Sequence, residues 1–327
     1  MKRTMLFTLL MLSASMGHAQ TGNPGLRGHP QPATATQNVP PASTTYAFTL
    51  INFPGAPNTT PQGMNPSASA SQQMVDGYYL PASGDTESGF LLGVTANSQG
   101  VVRETFQTSD ISGSTLQNAS GINDSGQIVG SYQDANSVWH GYELSGGVYT
   151  PINVPFAGAT LTFAYGINNS GAIVGAWESA SGTFGYELSG GTYTALQVPG
   201  ETITYPQNIN EKNQIVGYYE DASGNEHGFS YQGGKYTTIN VPGASSTLAE
   251  TVNDSGTIVG VYCTASDCAS TGSSPYLGFV LSKGVFSTVT VPGAASTSIY
   301  EISNNGLIEG SYLDSAGISH GFNGVPE

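Results

Sequence analysis

One phrase returns six times along this chain, and its spacing constrains the fold more than any other feature. It reads G-I-N-D-S-G-Q-I-V-G from Gly121 to Gly130 and G-I-N-N-S-G-A-I-V-G from Gly166 to Gly175. Degraded copies run from Asn208 to Gly217, Thr251 to Gly260 and Glu301 to Gly310, with a worn one from Gly63 to Gly77. A glycine followed by Phe or Tyr trails each copy, at Gly89, Gly141, Gly185, Gly228, Gly278 and Gly321, giving spacings of 52, 44, 43, 50 and 43 residues. A third landmark, Val-Pro, keeps step at Pro155, Pro199, Pro242 and Pro292, with Phe53-Pro54 at the front. Such a period suits four-stranded propeller blades.

Each unit reads as four short strands. In the third, Leu161, Phe163, Tyr165 and Ile167 alternate with smaller or polar residues, the period of two that puts neighbours on opposite faces. Asn168 to Gly171 supplies turn chemistry, Ala172 to Trp177 reads as a strand covered on both faces, and two further strands follow at Phe184 to Leu188 and Thr192 to Val198. Stacking such sheets radially covers their faces and protects their edges. The expectation is a monomeric, all-β, six-bladed β-propeller. The last unit stops after its third strand, whereas Tyr46 to Pro54 is an unattached fourth-type strand, so the two should complete one blade and close the ring.

Residues 1–19 have the order of a signal peptide: Lys2 and Arg3, an apolar run from Met5 to Leu12, and small residues up to Ala19. That run is too short to cross a bilayer, and nothing later approaches a spanning length. Residues 20–45 lack large apolar side chains and read as a flexible leader, leaving 46–327 as one domain. The expected location is extracellular or periplasmic.

Composition excludes some partners. With 7 basic against 22 acidic residues and a net charge of −15, the chain lacks the basic footprint that nucleic acid requires. Its 2 cysteines, Cys263 and Cys268, suit a short-loop disulfide in an exported protein.

These motifs resemble the bacterial probable extracellular repeats of the HAF type, whose units carry G-x-N-x-x-G-x-I-V-G followed by H-A-F or H-G-F. The matches are Gly121 to Gly130 with His140-Gly141-Tyr142, Asn208 to Gly217 with His227-Gly228-Phe229, and His320-Gly321-Phe322. The resemblance implies secretion and a β-repeat architecture, and it carries over no activity. The histidine position holds Ser88, Phe184 and Leu277 in the other units, so a role common to every blade cannot rest on it.

The candidate ligand-binding residues are Asp134, Trp139, His140, Asp221, His227, Asp314 and His320, all between the second and third strands of alternate units. There they face one rim, or each Asp and His fixes its own hairpin. Three imidazoles so far from the axis should not reach one zinc ion. Trp139 is the off-repeat aromatic expected at the surface; Tyr132, Trp177, Tyr219, Tyr262 and Tyr312 are expected in the core between blades. The Asn-Asp-Ser-Gly phrases are too compact for a calcium cage and read as turns. Glu250 and Glu301 lie near the axis but are offset by one in the repeat, which points them to opposite faces. No catalytic constellation, metal site or cofactor motif emerges. The expected function is a binding or scaffold module taking a glycan or surface protein at its rim loops; the alternative is a polysaccharide-acting hydrolase or lyase with an axial pocket.

Overall fold

The structure, a computed structural model, describes residues 42–43, 45–56, 58–69, 71–80, 88–96, 102–108, 111–112, 114, 116–265, 268 and 275–327. The expected signal peptide and most of the leader lie outside them. The repeats form six antiparallel sheets, each with four strands from the axis outward. Blade 1 comprises Asn58–Met64, Gln72–Leu80, Ser88–Ala96 and Val102–Thr108; blade 2, Leu116–Ile122, Ile128–Gln133, Trp139–Ser145 and Val148–Ile152. Blade 3 comprises Leu161–Ile167, Ile173–Ser179, Gly182–Ser189 and Thr192–Leu196; blade 4, Ile203–Ile209, Ile215–Glu220, Glu226–Gln232 and Lys235–Ile239. Blade 5 comprises Ser246–Val252, Ile258–Cys263, Leu277–Ser282 and Val285–Val289. Blade 6 takes Ser296–Ile302, Ile308–Leu313 and Ser319–Pro326 from the end of the chain and Tyr46–Ile51 from near its start. Each inner strand lies against the next, and the sixth lies against the first, so the ring is closed.

Closure follows the expected route. Tyr46–Ile51 runs antiparallel to the last strand, with Leu50 opposite Phe322 and Ile51 opposite Gly321. Phe48 meets Phe322 edge-on, with ring centroids 5.3 Å apart. One feature extends the expected domain: Ala42 and Ser43, placed by composition in the leader, pair in parallel with Ser287 and Thr288 on the outer edge of blade 5. The chain thus crosses from one blade to the next just before it closes the ring. The expected disulfide joins Cys263 to Cys268.

Simple alternation along the inner strands fails because each contains a bulge. The register slips between Ala164 and Gly166, leaving Tyr165 unpaired, and it slips at the matching place in all six blades. The bulge aims an inner-strand carbonyl at the glycine that ends each I-V-G phrase. A methyl group at Gly175 would strike the Phe163 carbonyl, and at Gly217 the Tyr205 carbonyl. That close approach explains why this glycine survives in every copy.

The remaining landmarks join blade to blade. Before each prolyl link a backbone N–H is taken by a buried threonine of the next inner strand: Val198 donates to Thr204 Oγ1 at 3.1 Å, Val241 to Thr247 at 3.1 Å and Val291 to Thr297 at 3.0 Å. The asparagine of each phrase does more than turn the chain. Asn210 Oδ1 accepts from the backbone of Lys212 and Gln214, while its Nδ2 donates across the interface to the Asn253 carbonyl at 3.0 Å. Asn123, Asn168 and Asn253 make the same step to Asn168, Asn210 and Ser303, each at 3.1 Å.

A second belt runs one residue later. It passes from Asp124 to Asn169, Glu211, Asp254 and Asn304, then through Pro66 and Ser67 back to Asp124. These turns are therefore circumferential hydrogen-bond stations as well as turns. Burial pushes the Asp124 carboxyl up, but hydrogen bonds from Ser67, Asn65 and Asn169 outweigh it and hold the group below its ordinary range.

Replacing Asn210 by Ala strands two turn N–H groups and the Asn253 carbonyl, and should cost about 1–3 kcal/mol in chemical denaturation. Asn210→Asp keeps the acceptor and loses only the donor to Asn253, so its expected cost is smaller. Equal loss in both variants would show that the interblade bond contributes most of the effect.

Candidate functional site

The rim turns between second and third strands place the residues singled out by the repeat. In blade 2, Asp134 Oδ1 accepts from the backbone of Asn136 at 2.8 Å and Val138 at 2.9 Å. This Asx arrangement needs a left-handed residue three positions on: Gly224 (φ 81°) and Gly317 (φ 78°) supply it in blades 4 and 6, whereas Ser137 (φ 64°) takes it in blade 2. The second carboxylate oxygen faces a histidine on the returning strand. Separations are 3.5 Å for Asp134 and His140, 3.2 Å for Asp221 and His227, and 3.2 Å for Asp314 and His320.

His140 and His227 are held on two further sides, and His320 on one. His140 Nδ1 meets Asn153 Oδ1 at 2.8 Å, and His227 Nδ1 meets Asn240 Oδ1 at 3.1 Å. Both asparagines open the link to the next blade, so the station joins the two loops that share this rim. The imidazole also lies over a tyrosine of the second strand: Tyr132, Tyr219 and Tyr312 sit 5.2, 5.2 and 5.1 Å from it, centroid to centroid. Three stations of one design thus occur in alternate blades, and each His, Asp and Tyr in them is half-buried.

Electrostatics keep the aspartates charged. Burial acts against ionisation at Asp221, but hydrogen bonds from Asn225, His227 and Ser223 bring its pKa to about 2. Asp134 and Asp314 are lowered chiefly by the backbone N–H groups of Val138 and Ile318. In blade 4, burial raises the Glu201 carboxyl, with a smaller push from the charge of Asp221 opposed by His227.

The structure departs from expectation at several residues. Trp139, expected at the surface, is 6% exposed and packs its ring against Phe163 of the neighbouring blade, 5.7 Å between centroids. It begins a strand rather than tipping a turn. Tyr132, Tyr219 and Tyr312, expected in the core, do pack against it but stay partly open beside the histidines; Trp177 and Tyr262 are buried as expected. The signal was present, because a tyrosine after I-V-G or I-E-G coincides with histidine two positions before the aromatic landmark only in these three units.

The three histidines do not converge, and no group of three or more His, Cys, Asp or Glu arranged to hold a metal occurs among the described residues. On the opposite face, the first turns surround a shallow axial depression lined by Met64, Ile122, Ile167, Ile209, Val252 and Ile302, with Glu211, Asp254 and Asn304 at its mouth. Glu250 and Glu301 are 8% and 7% exposed. Glu301 contributes to the lining of this depression, whereas Glu250 does not.

Fold comparison defines the class: this is a six-bladed β-propeller. A fucose-recognising fungal lectin from Aleuria aurantia, itself a six-bladed β-propeller, superposes with TM-score 0.50 at 11% identity, covering 81% of this chain and 91% of the lectin. AofleA from Arthrobotrys oligospora gives 0.51 at 11% identity over 85% and 86% of the two chains. Trypanosoma rangeli sialidase gives 0.52 at 7% identity over 82% of this chain and 55% of its own. At such identities the likeness is one of fold. No protein-family model and no curated protein matches the sequence.

Asp221→Ala should release the amides of Ser223 and Asn225 to fast hydrogen exchange, because the turn loses its acceptor. Global melting should move by only a few degrees, since the station lies at the rim and its pair is solvent-screened. A drop as large as that of Asn210→Ala would show that the rim turn supports the whole blade.

Proposed function

We propose that this protein is a non-enzymatic, exported glycan-binding module presenting three stations on the rim of a propeller. The observation that carries the proposal is the partly buried tyrosine ring set beside His and Asp at the rim, repeated in blades 2, 4 and 6 and joined by Asn in blades 2 and 4. A sugar presents an apolar face of C–H groups and an equator of hydroxyls, so it suits an aromatic surface flanked by fixed donors and acceptors. Asp134, Asp221 and Asp314 stay ionised, and the chain carries −15 overall, which favours neutral sugars over sialylated or sulfated ones.

The fucose-recognising lectin among the fold neighbours is consistent with this reading, and the HAF-type resemblance supports export. Glu301 lines the axial depression but Glu250 does not, so the carboxylate pair that an axial hydrolase would need does not converge there.

A glycan array with the mature protein should show binding to neutral glycans without turnover. The triple variant Tyr132→Ala, Tyr219→Ala, Tyr312→Ala should lose binding at least about tenfold, the scale of one lost aromatic contact per site. Undiminished binding would move the site elsewhere, and released products would restore the enzyme. For export, the secreted chain should begin at Gln20 by mass spectrometry; an intracellular chain retaining Met1 to Ala19 would overturn that part.

A further inference from the structure

The I-V-G phrase puts a valine on the face that each second strand turns toward the next blade. Val129, Val174, Val216 and Val259 are all fully buried there. Two blades break the pattern, and they are neighbours in the ring: blade 1 reads V-D-G with Asp76, and blade 6 reads I-E-G with Glu309, each with no exposed surface. Glu301, the direct cross-strand partner of Glu309, stands where blades 1 to 3 have Gly63, Gly121 and Gly166. The repeat's own apolar contact has been exchanged for carboxyls on either side of blade 1.

Among the described residues little offsets their burial. Both carboxyl oxygens of Glu309 lack a hydrogen-bond partner there, as does one of Glu250, the bulge residue of blade 5; the backbone N–H groups of Gly63 and Asp76 lie near enough to the Asp76 carboxyl to oppose its burial without offsetting it. Asn323, opposite Glu309 on the third strand, also has an unpaired buried side-chain oxygen. The ionisable groups facing the cluster are Glu250 and Tyr300 at the axis, with Glu226 and Tyr276 beyond Glu250. Tyr300 bonds to Ser311 at 3.1 Å. Among the described side chains, the basic group on these strands is His320, which faces Asp314 at the rim. An ionised carboxylate buried without a partner is strongly disfavoured, so each of these groups must hold a proton or gain a cation.

We propose that Asp76, Glu301 and Glu309 form a proton-dependent lock where blades 6, 1 and 2 meet the axis, closed when protonated and loosened when ionised. Geometry makes the lock act on closure, because blade 6 is the one assembled from both ends of the chain. Burial raises every member, Asp76 to about 8 and Glu301 and Glu309 well above the ordinary carboxylate range; at Glu301 the Ile302 N–H, 3.2 Å away, and Thr251 oppose the rise while Asp76 and Glu250 add to it, and at Glu309 the charges of Glu301 and Asp76 add to it.

The sign of the pH effect follows. A carboxyl whose folded-state pKa is raised contributes fully only below its ordinary value, and that contribution is lost progressively as pH climbs from there through the folded value, about 8 for Asp76. The rim aspartates have lowered values and titrate below this window, Asp221 at about 2, so they do not mask the trend.

The test compares thermal unfolding of the mature protein at pH 5.0 and 8.5 with that of Asp76→Val, Glu309→Val, the residue four other blades use. The wild type should melt roughly 10 °C or more lower at the alkaline pH. The double variant should melt higher than wild type at pH 8.5 and show a shallower slope, the remainder coming from Glu301, Glu250 and Glu220, whose raised carboxyls it keeps. Asp76→Asn, Glu309→Gln mimics the protonated shape and should flatten the slope even if valine packs poorly. General repulsion among surface acids would leave all three slopes equal, which overturns the lock. A melting rise on adding calcium chloride to the wild type at pH 8.5, absent from both variants, would mean a cation closes the cluster instead, which also overturns it. Hydrogen exchange, corrected for intrinsic rate, should quicken at pH 8.5 first in Tyr46–Ile51 and Ser319–Pro326.

Discussion

The structure depends on how closely six backbones can approach one axis. Inner strands packed around a centre have little room for side chains, and the bulge in each is the means of fitting. It turns one residue out of the ladder, brings a carbonyl onto the glycine of the second strand, and lets Gly63, Gly121 and Gly166 lie almost against their neighbours' backbones. Once that contact is set, the rest of a blade is positioned by ordinary antiparallel pairing. The glycines of the I-V-G phrase are therefore consequences of the axial geometry.

Closing such a ring also requires that polar groups at each interface be passed on to the next blade. The asparagine belt, the parallel belt through Asp124, Glu211 and Asp254, and the threonine clasps do this on successive tiers. Asn168, Asn210 and Asn253 each donate to one flank and accept from the other, so their blades cannot slide without breaking bonds on both sides. Apolar packing between blades sets the energy of association, and these directional contacts set the register.

How legible this was depends on whether a feature repeats. The period, the four-strand unit and the completion of blade 6 by Tyr46–Ile51 could all be read from three landmarks marching in step. The bulge could not, since Tyr165 looks like one more member of an alternating strand until its neighbour's carbonyl is located. Trp139 was misplaced for the same reason: lying off the repeat, it had no counterpart to compare with, and only the packing of Phe163 shows it buried. Tyr132, Tyr219 and Tyr312 were assigned to the core because they share a column with Trp177 and Tyr262. Their histidine partners, visible in the same units, distinguish them.

Departures from a repeat have two physical meanings here. At the rim, histidine appears in alternate blades over a half-open ring, where a lost residue changes one turn and leaves the sheet intact. At the axis, Asp76 and Glu309 replace valines that no other blade gives up, in positions where an unpartnered carboxylate is costly. Substitution at the rim is cheap and can diversify a surface. Inside the ring it persists only where the fold holds the proton, which is the role the proposed lock gives to Asp76, Glu301 and Glu309 at the seam.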